Sequence, residues 1–127
     1  MASILRVNTL TDASSNNSIA TSFVAGGSAK AYANVDTTGT AALDGNFNIS
    51  GLTDNGTGEF TFTIATDFGT VNYAHPIVPA DQDGGGGMDI TVTSKAAGSI
   101  RIGTIRDDST KTDNALFLSV SLFGDLA

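Results

Sequence analysis

The stretch Asn46–Ala65, "NFNISGLTDNGTGEFTFTIA", decides the fold of this 127-residue chain. Apolar and polar residues alternate on both sides of Asn55-Gly56, a dipeptide that readily adopts the positive φ angles of a two-residue hairpin turn. Such a turn pairs Ile49 with Phe62, and a slip of one residue would instead place Phe opposite Thr. The predicted buried face of this hairpin comprises Phe47, Ile49, Phe60, Phe62 and Ile64.

The composition of the rest of the chain is typical of an all-β domain. It holds 15 glycines and only two prolines, with short alternating apolar runs and no window of sustained helical spacing. Eight strands are predicted, at Ile4–Leu10, Ala29–Val35, Phe47–Leu52, Glu59–Ala65, Val71–Tyr73, Asp89–Thr93, Ser99–Ile105 and Ala115–Phe123. We therefore expect one antiparallel β-sandwich or jelly-roll-like head in residues 29–127, preceded by an extended N-terminal segment in residues 1–28.

Both ends of the chain carry apolar residues on both faces of their predicted strands. A strand that is apolar on both faces needs a second covering layer, from its own domain or from another chain. The connector that follows the first strand is polar, and is either a flexible linker or a stalk whose apolar residues meet at a symmetry axis. The predicted subunit interface comprises Ile4, Leu5, Val7, Leu10, Ile19, Val24, Phe117 and Phe123.

The charge balance and the absence of cysteine exclude several function classes. A net charge of −7, from 13 acidic and six basic residues, disfavours binding to nucleic acid or to an anionic membrane. No cysteine is present, so the chain forms no disulfide and offers no thiolate. The N-terminal sequence lacks the apolar stretch of a signal peptide, and no segment reaches membrane-span length. We therefore expect neither a nucleic acid nor a membrane as a partner.

The motifs that carry chemistry are few. His75 in "NYAHPIV" has no neighbouring Ser or Cys in the sequence that would complete a catalytic triad. The segment Asp81–Asp89, "DQDGGGGMD", has acids at alternate positions as a calcium loop does, but Val92 stands where that loop needs its acidic twelfth residue. We therefore predict no catalytic residue, no metal ion and no cofactor, and no enzymatic activity.

The longest predicted loop spans Ile77–Asp89. Contact residues on rigid β scaffolds concentrate in loops, and four consecutive glycines make this one adaptable. The candidate receptor-facing residues are Asp81, Gln82, Asp83 and Met88, with Met88 expected to be exposed beside the glycines. The alternative role of the loop is that of a spacer.

Several quoted segments together resemble one group of proteins. They are "ILRVNTL", "DASSNNS", "GSAKAY" at Gly27–Tyr32, "FNISGLTDNGTGEFTF" at Phe47–Phe62 and "LSVSLFGDL" near the C-terminus. With them the chain resembles the tail-fibre or virion-fibre domains of tailed bacteriophages and viral metagenomes. It departs from that pattern at Tyr32, where a tryptophan is expected, and in "DQDGGGGMDI", which matches nothing diagnostic.

The resemblance implies a homotrimer whose N-terminal segments wind together, with a β-sandwich head at the far end. The chain would then be a structural protein on the surface of the phage particle, a fibre or spike component that attaches to other virion proteins and contacts a bacterial surface glycan. The alternative is a free-standing carbohydrate-binding or adhesin-type β-sandwich module. Such a module would be monomeric and would need stacking aromatic rings, of which the sequence supplies Tyr32 and Tyr73 but no tryptophan.

Overall fold

A computed structural model describes residues 3–15, 17–81, 87–113 and 115–127. All strand pairs between these elements are antiparallel, which confirms the predicted all-β class. The elements are β1 (Thr9–Thr11), β2 (Ser18–Ala20), α1 (Thr21–Gly27), β3 (Ala31–Asp36), β4 (Ala42–Phe47), β5 (Ile49–Asp54), β6 (Glu59–Ile64), β7 (Ile77–Asp81), β8 (Met88–Ala96), β9 (Ser99–Arg106) and β10 (Ala115–Leu122).

Two four-stranded sheets form the head, and β1 and β2 form a separate hairpin. The first sheet has the order β4-β3-β10-β7 and the second sheet the order β5-β6-β9-β8. Alternate residues of each strand point between the sheets, so the two inner faces bury one common core. This core comprises Ala31, Ala33, Val35, Ile49, Phe60, Phe62, Ile64, Phe68, Tyr73, Ile100, Ile102, Ala115, Leu118, Val120 and Leu122.

The chain passes from the first sheet to the second at Asn48, whose φ is +55°. Its side chain fixes this corner, because Oδ1 accepts a hydrogen bond from the Thr66 amide at 2.7 Å and Nδ2 donates to the Thr66 carbonyl at 3.1 Å. Phe47 therefore ends β4 in the first sheet and is exposed. The prediction that Phe47 shares the buried hairpin face is wrong, whereas burial of Ile49, Phe60, Phe62 and Ile64 is confirmed.

The β5–β6 hairpin turns over Gly56–Gly58 and not over Asn55-Gly56. The Asn55 amide donates to the Glu59 carbonyl at 2.8 Å, and Leu52 lies opposite Phe62. The predicted register is therefore wrong. An extra residue, Ser50, interrupts β5 and turns both Ile49 and Leu52 towards the core, so the buried face survives the shift.

Two further predictions about elements are wrong, and one short helix was not predicted. Strand Ile4–Leu10 is reduced to its end, because residues 3–8 belong to no strand pair among the described residues. Val71–Tyr73 is not a strand, and Tyr73 is buried because its ring stacks on Phe68 with centroids 4.3 Å apart. The helix α1 was not expected, because its seven residues bury none of their side chains and so carry no apolar periodicity.

Each of the four sheet edges contains a feature that opposes pairing with another strand. Extra residues bulge the edge strands at Asp44 in β4, Ser50 in β5 and Thr93 in β8. The remaining edge strand, β7, contains Pro79, which has no amide proton to donate. Bulges and edge prolines prevent sheets from joining edge to edge.

The head has two distinct ends. At one end, β3 starts beside the end of β10, where the Lys30 amide donates to the Leu122 carbonyl at 2.8 Å. At the opposite end, which we call the distal pole, lie the loop 37–41, the hairpin tip 55–58 and the loop 107–113. The N-terminal residues and the distal loops therefore lie at opposite ends of the sandwich.

Candidate interaction surfaces

Residues 3–28, which we call the arm, are shaped by hydrogen bonds and not by a core. Leu10 pairs with Ile19 in the β1–β2 hairpin, and the Thr21 amide donates to the Asn8 carbonyl at 2.9 Å. In the turn between the strands, Asp12 accepts hydrogen bonds from Ser14 and Asn17. No described residue of the arm is buried.

The apolar side chains of the arm are consequently open to solvent. Leu5 is 80% exposed, and Ile4 and Phe23 are each 73% exposed. All six arm residues of the predicted interface are exposed in the single chain, namely Ile4, Leu5, Val7, Leu10, Ile19 and Val24. A two-stranded hairpin alone is at best marginally stable in water, so a covering layer over this surface would stabilise it. The assignment of that layer to other subunits stays a prediction.

Lys30 joins the end of the arm to the head. Its Nζ donates to the Ala25 carbonyl, to the Ser28 carbonyl at 3.0 Å and to Ser28 Oγ at 2.6 Å. A cation at this position donates hydrogen bonds to carbonyl groups at the C-terminal end of α1, which have no partner within the helix. The arm therefore leaves the head in a defined direction at the first residue of β3.

The solvent-facing side of the first sheet, which we call the outer face, carries large apolar side chains. Phe47 is 55%, Val78 65% and Phe117 57% exposed. The ring of Tyr32 stacks on that of Phe47 with centroids 6.0 Å apart. Between them lie small residues, because Ser121 pairs with Tyr32 and Ser119 pairs with Val78. Sequence reasoning placed Phe117 at an interface but missed the other three large side chains of this face.

Asp36 lies at the rim of the outer face. Its Oδ1 accepts hydrogen bonds from the Thr38 hydroxyl at 2.6 Å and the Thr38 amide at 2.7 Å. These bonds, the hydroxyl first, hold the pKa of Asp36 below its usual range. The Asp36 carboxylate is therefore hydrogen-bonded within the loop that follows β3.

The solvent-facing side of the second sheet is polar. Thr63 and Thr91 are exposed there, and Glu59 forms ion pairs with Lys111 and Arg101. The hydrogen bond from Lys111, followed by that from Arg101, lowers the pKa of Glu59. The two solvent-facing sides of the sandwich thus differ in chemistry: one is aromatic and aliphatic, and the other consists of threonines and paired charges.

At the distal pole, the hairpin tip is held by the loop that follows β9. The Gly58 amide donates to the Asp113 carboxylate, and the Gly58 carbonyl accepts from the Thr104 amide at 2.8 Å. Thr104 in turn bonds Thr112 through its hydroxyl and carbonyl. Gly58 has a φ of +65°, and a Cβ there would lie 2.7 Å from both the Thr104 oxygen and the Thr112 nitrogen. Only glycine fits this position.

The candidate receptor-facing residues do not form one exposed group. Asp81 ends β7 and is half-buried, while Gln82 and Asp83 lie outside the described residues. Met88 begins β8, pairs with Arg106 and packs against the core, so the expectation that it is exposed in a loop is wrong. Strand β8 starts earlier than expected because its hairpin partner, β9, extends to Arg106.

A cleft of about 300 Å³ lies at the end of the head from which the arm leaves. Its wall includes Phe68 and Tyr73, and the Tyr73 hydroxyl lies 3.0 Å from the Ala96 carbonyl, to which it donates. Burial raises the pKa of Tyr73 to about 12. His75 lies beside this cluster, with Nδ1 3.4 Å from the Tyr73 carbonyl and 3.5 Å from Lys95 Nζ. These contacts make the cluster a structural one.

In the described ranges, no three His, Asp or Glu side chains are grouped so that they could hold a metal ion. Within the same ranges, no helix has the length and apolar character needed to cross a membrane. Comparison of the chain with protein-family models, with curated proteins and with solved structures finds no match.

Proposed function

We propose that this chain is a structural virion protein of a tailed bacteriophage, a trimeric fibre or spike component with a jelly-roll-like head. The arm would join the copies and attach them to other virion proteins. The observation that carries this proposal is the arm itself, which exposes seven large apolar side chains and buries none.

The energetics of the arm favour association between copies. Ordering a residue costs roughly 1–2 kcal/mol of backbone entropy, and the arm offsets little of this in a single chain. Burying one large apolar side chain returns about 1.5–3 kcal/mol. Seven such side chains covered by neighbouring copies would therefore contribute on the order of 10–20 kcal/mol to the assembly. Closed rotational symmetry is the usual way in which identical chains bury such a surface.

The two ends of the head suit a fibre. The arm leaves at one end, and the distal pole presents its loops at the other. Copies joined through their arms would point the distal loops away from the particle, where they could contact a bacterial surface glycan. Asp81 stands at the start of the loop that we propose for this contact.

Light scattering coupled to size-exclusion chromatography tests the proposal. A trimer has three times the chain mass of 12.9 kDa, about 38.7 kDa. A species of 12.9 kDa at micromolar concentration would contradict it. Immunogold electron microscopy of phage particles with antibody against this chain tests the location, and absence of label from intact particles would refute it.

A free-standing carbohydrate-binding module is the second candidate, and the outer face favours it. The stacked rings of Tyr32 and Phe47 and the ring of Phe117 are exposed on one side of the sheet, as a sugar-stacking platform would require. This candidate predicts a monomer that binds a bacterial polysaccharide in calorimetry. Tyr32→Ala should then weaken binding at least tenfold, while Thr63→Ala on the opposite sheet should leave it unchanged.

A further inference from the structure

We propose that the outer face of the first sheet is the docking surface for the arm of a second copy of this chain. The inference rests on the proposed self-association and adds to it the surface on which the arm is seated. Four observations lead to it: the chemistry of the outer face, the charge of the two parts, the available area and the blocked sheet edges.

The outer face and the arm have matching chemistry. The outer face exposes Phe47, Val78 and Phe117 around small serines, and its acid, Asp36, is bonded to its own loop. The arm exposes Phe23 and Ile19 and has no layer of its own chain to cover them. Contiguous apolar surface of this kind on a soluble domain indicates an interaction site.

The head is strongly acidic and the arm is not. Residues 3–28 contain one basic residue, Arg6, and one acidic residue, Asp12, so the net charge of the arm is zero. Residues 31–127 contain four basic and twelve acidic residues, a net charge of −8. Two heads therefore repel each other, whereas an arm is not repelled by the head of another copy. The arm of a second copy is thus an apolar partner that carries no net charge.

The area fits an exchange of arms. Four strands spaced about 4.8 Å apart and five to six residues long at about 3.3 Å per residue give an outer face of roughly 350 Å². This is less than half of the roughly 800 Å² per partner of a stable interface. If each chain gives its outer face to one neighbour and an arm of similar size to another, it buries about 700 Å² in total over two contacts, so a closed ring of such contacts approaches the area that one contact lacks.

The sheet edges leave few other ways to associate. Bulges at Asp44, Ser50 and Thr93 and the proline at Pro79 oppose strand addition at all four edges of the two head sheets. The solvent-facing side of the second sheet carries threonines and the paired charges of Glu59. The outer face is the apolar surface of the head that stays open.

Cross-linking can test this contact directly, because the chain contains no cysteine. Phe23→Cys on the arm and Val78→Cys on the outer face would be placed in separate full-length chains with tags of different mass and co-expressed. A short bis-maleimide should then join one chain of each type. In the matched control, Thr63→Cys on the exposed side of the second sheet takes the place of Val78→Cys. We expect at least tenfold less cross-linked product from this pair than from Phe23→Cys with Val78→Cys.

A charge substitution gives an independent measurement. Phe117→Asp and Thr63→Asp each add a carboxylate at an exposed strand position, one on each sheet, so both variants should keep the fold by circular dichroism. We expect the concentration at which the oligomer dissociates to rise at least tenfold for Phe117→Asp and to stay unchanged for Thr63→Asp.

The outcomes separate the two proposals. A monomer in light scattering overturns both of them. An oligomer in which Phe23→Cys reacts equally with Thr63→Cys and Val78→Cys leaves self-association standing and overturns the docking surface. A cross-link that forms within one chain carrying both Phe23→Cys and Val78→Cys, without product between chains, also overturns it. A monomer whose Val78→Cys thiol is protected by a bacterial polysaccharide overturns it in favour of the carbohydrate-binding module.

Discussion

Substitution of Gly58 by alanine tests how the hairpin tip is held. Gly58 has a φ of +65°, and a non-glycine residue in this left-handed region costs about 1–2 kcal/mol. The new Cβ would also lie 2.7 Å from the Thr104 oxygen and from the Thr112 nitrogen, both backbone atoms that cannot rotate away. Overpacking of this kind costs about 1–3 kcal/mol. We therefore expect Gly58→Ala to lower the free energy of unfolding by about 2–5 kcal/mol.

The control for this prediction is Gly39→Ala. Gly39 has a φ of +82° and no atom within 4 Å of an added Cβ, so its substitution costs only the backbone strain, about 1–2 kcal/mol. In urea unfolding with a slope near 2 kcal/mol/M, the midpoint should fall by about 1–2.5 M for Gly58→Ala and by about 0.5–1 M for Gly39→Ala. Equal midpoints for the two variants would refute the claim that Gly58 is required by its close contacts.

Three further predictions concern single residues. Glu59 has a lowered pKa, so its stabilising ion pairs are complete above its ordinary pKa and are lost as the pH falls below about 4 towards the lowered value. The melting temperature of Glu59→Gln should therefore fall less between pH 6 and pH 3 than that of the parent chain, and equal falls would contradict this. Tyr73 has a pKa raised to about 12, so the stability that its neutral hydroxyl gives to the fold is complete below about pH 10 and is lost as the pH rises towards 12. The urea midpoint of Tyr73→Phe should therefore fall less between pH 10 and pH 12 than that of the parent chain. Asn48→Ala removes both hydrogen bonds to Thr66 and places alanine at a positive φ, so it should lower the free energy of unfolding by about 2–4 kcal/mol. Asn48→Gly removes the same bonds without the backbone strain and should lower it by about 1–2 kcal/mol less. Equal losses for the two variants would show that the positive φ is unimportant.

The parts of the fold that were predictable are those with strict alternation. Phe60, Phe62 and Ile64 alternate with threonines, and Leu118 and Val120 alternate with serines, so their burial follows from the pleat of a strand. β7 was not recognised because its proline, Pro79, is typical of a loop, although an edge strand tolerates it. β4 was not recognised because its extra residue, Asp44, breaks the alternation.

The hairpin register failed for a different reason. Asn55-Gly56 has the composition of a two-residue turn, and local preference alone would select it. The observed tip depends on Gly58 being bonded to Thr104 and Asp113, which are distant in sequence. A contact of that kind leaves no local pattern, so it could not be derived before the strand order was known.

The exposed apolar surfaces were predicted in part. The arm was recognised as carrying surplus apolar residues, although β1 shares only Thr9 and Leu10 with the expected strand. The outer face was not recognised, because Phe47 was assigned to the hairpin core and Tyr32 was considered only as a single ring. Its assembly from β3, β4, β7 and β10 requires the order of the strands, which alternation within one strand does not contain.

The blunted sheet edges would have a consequence for the proposed role on a phage particle. Many copies held close together at high local concentration would readily polymerise if their edge strands were straight and unprotected. Bulges at Asp44, Ser50 and Thr93 and the proline at Pro79 oppose that route for the two sheets of the head. If the remaining contacts between faces and arms close into a ring, their geometry sets the number of copies, which then does not grow with protein concentration.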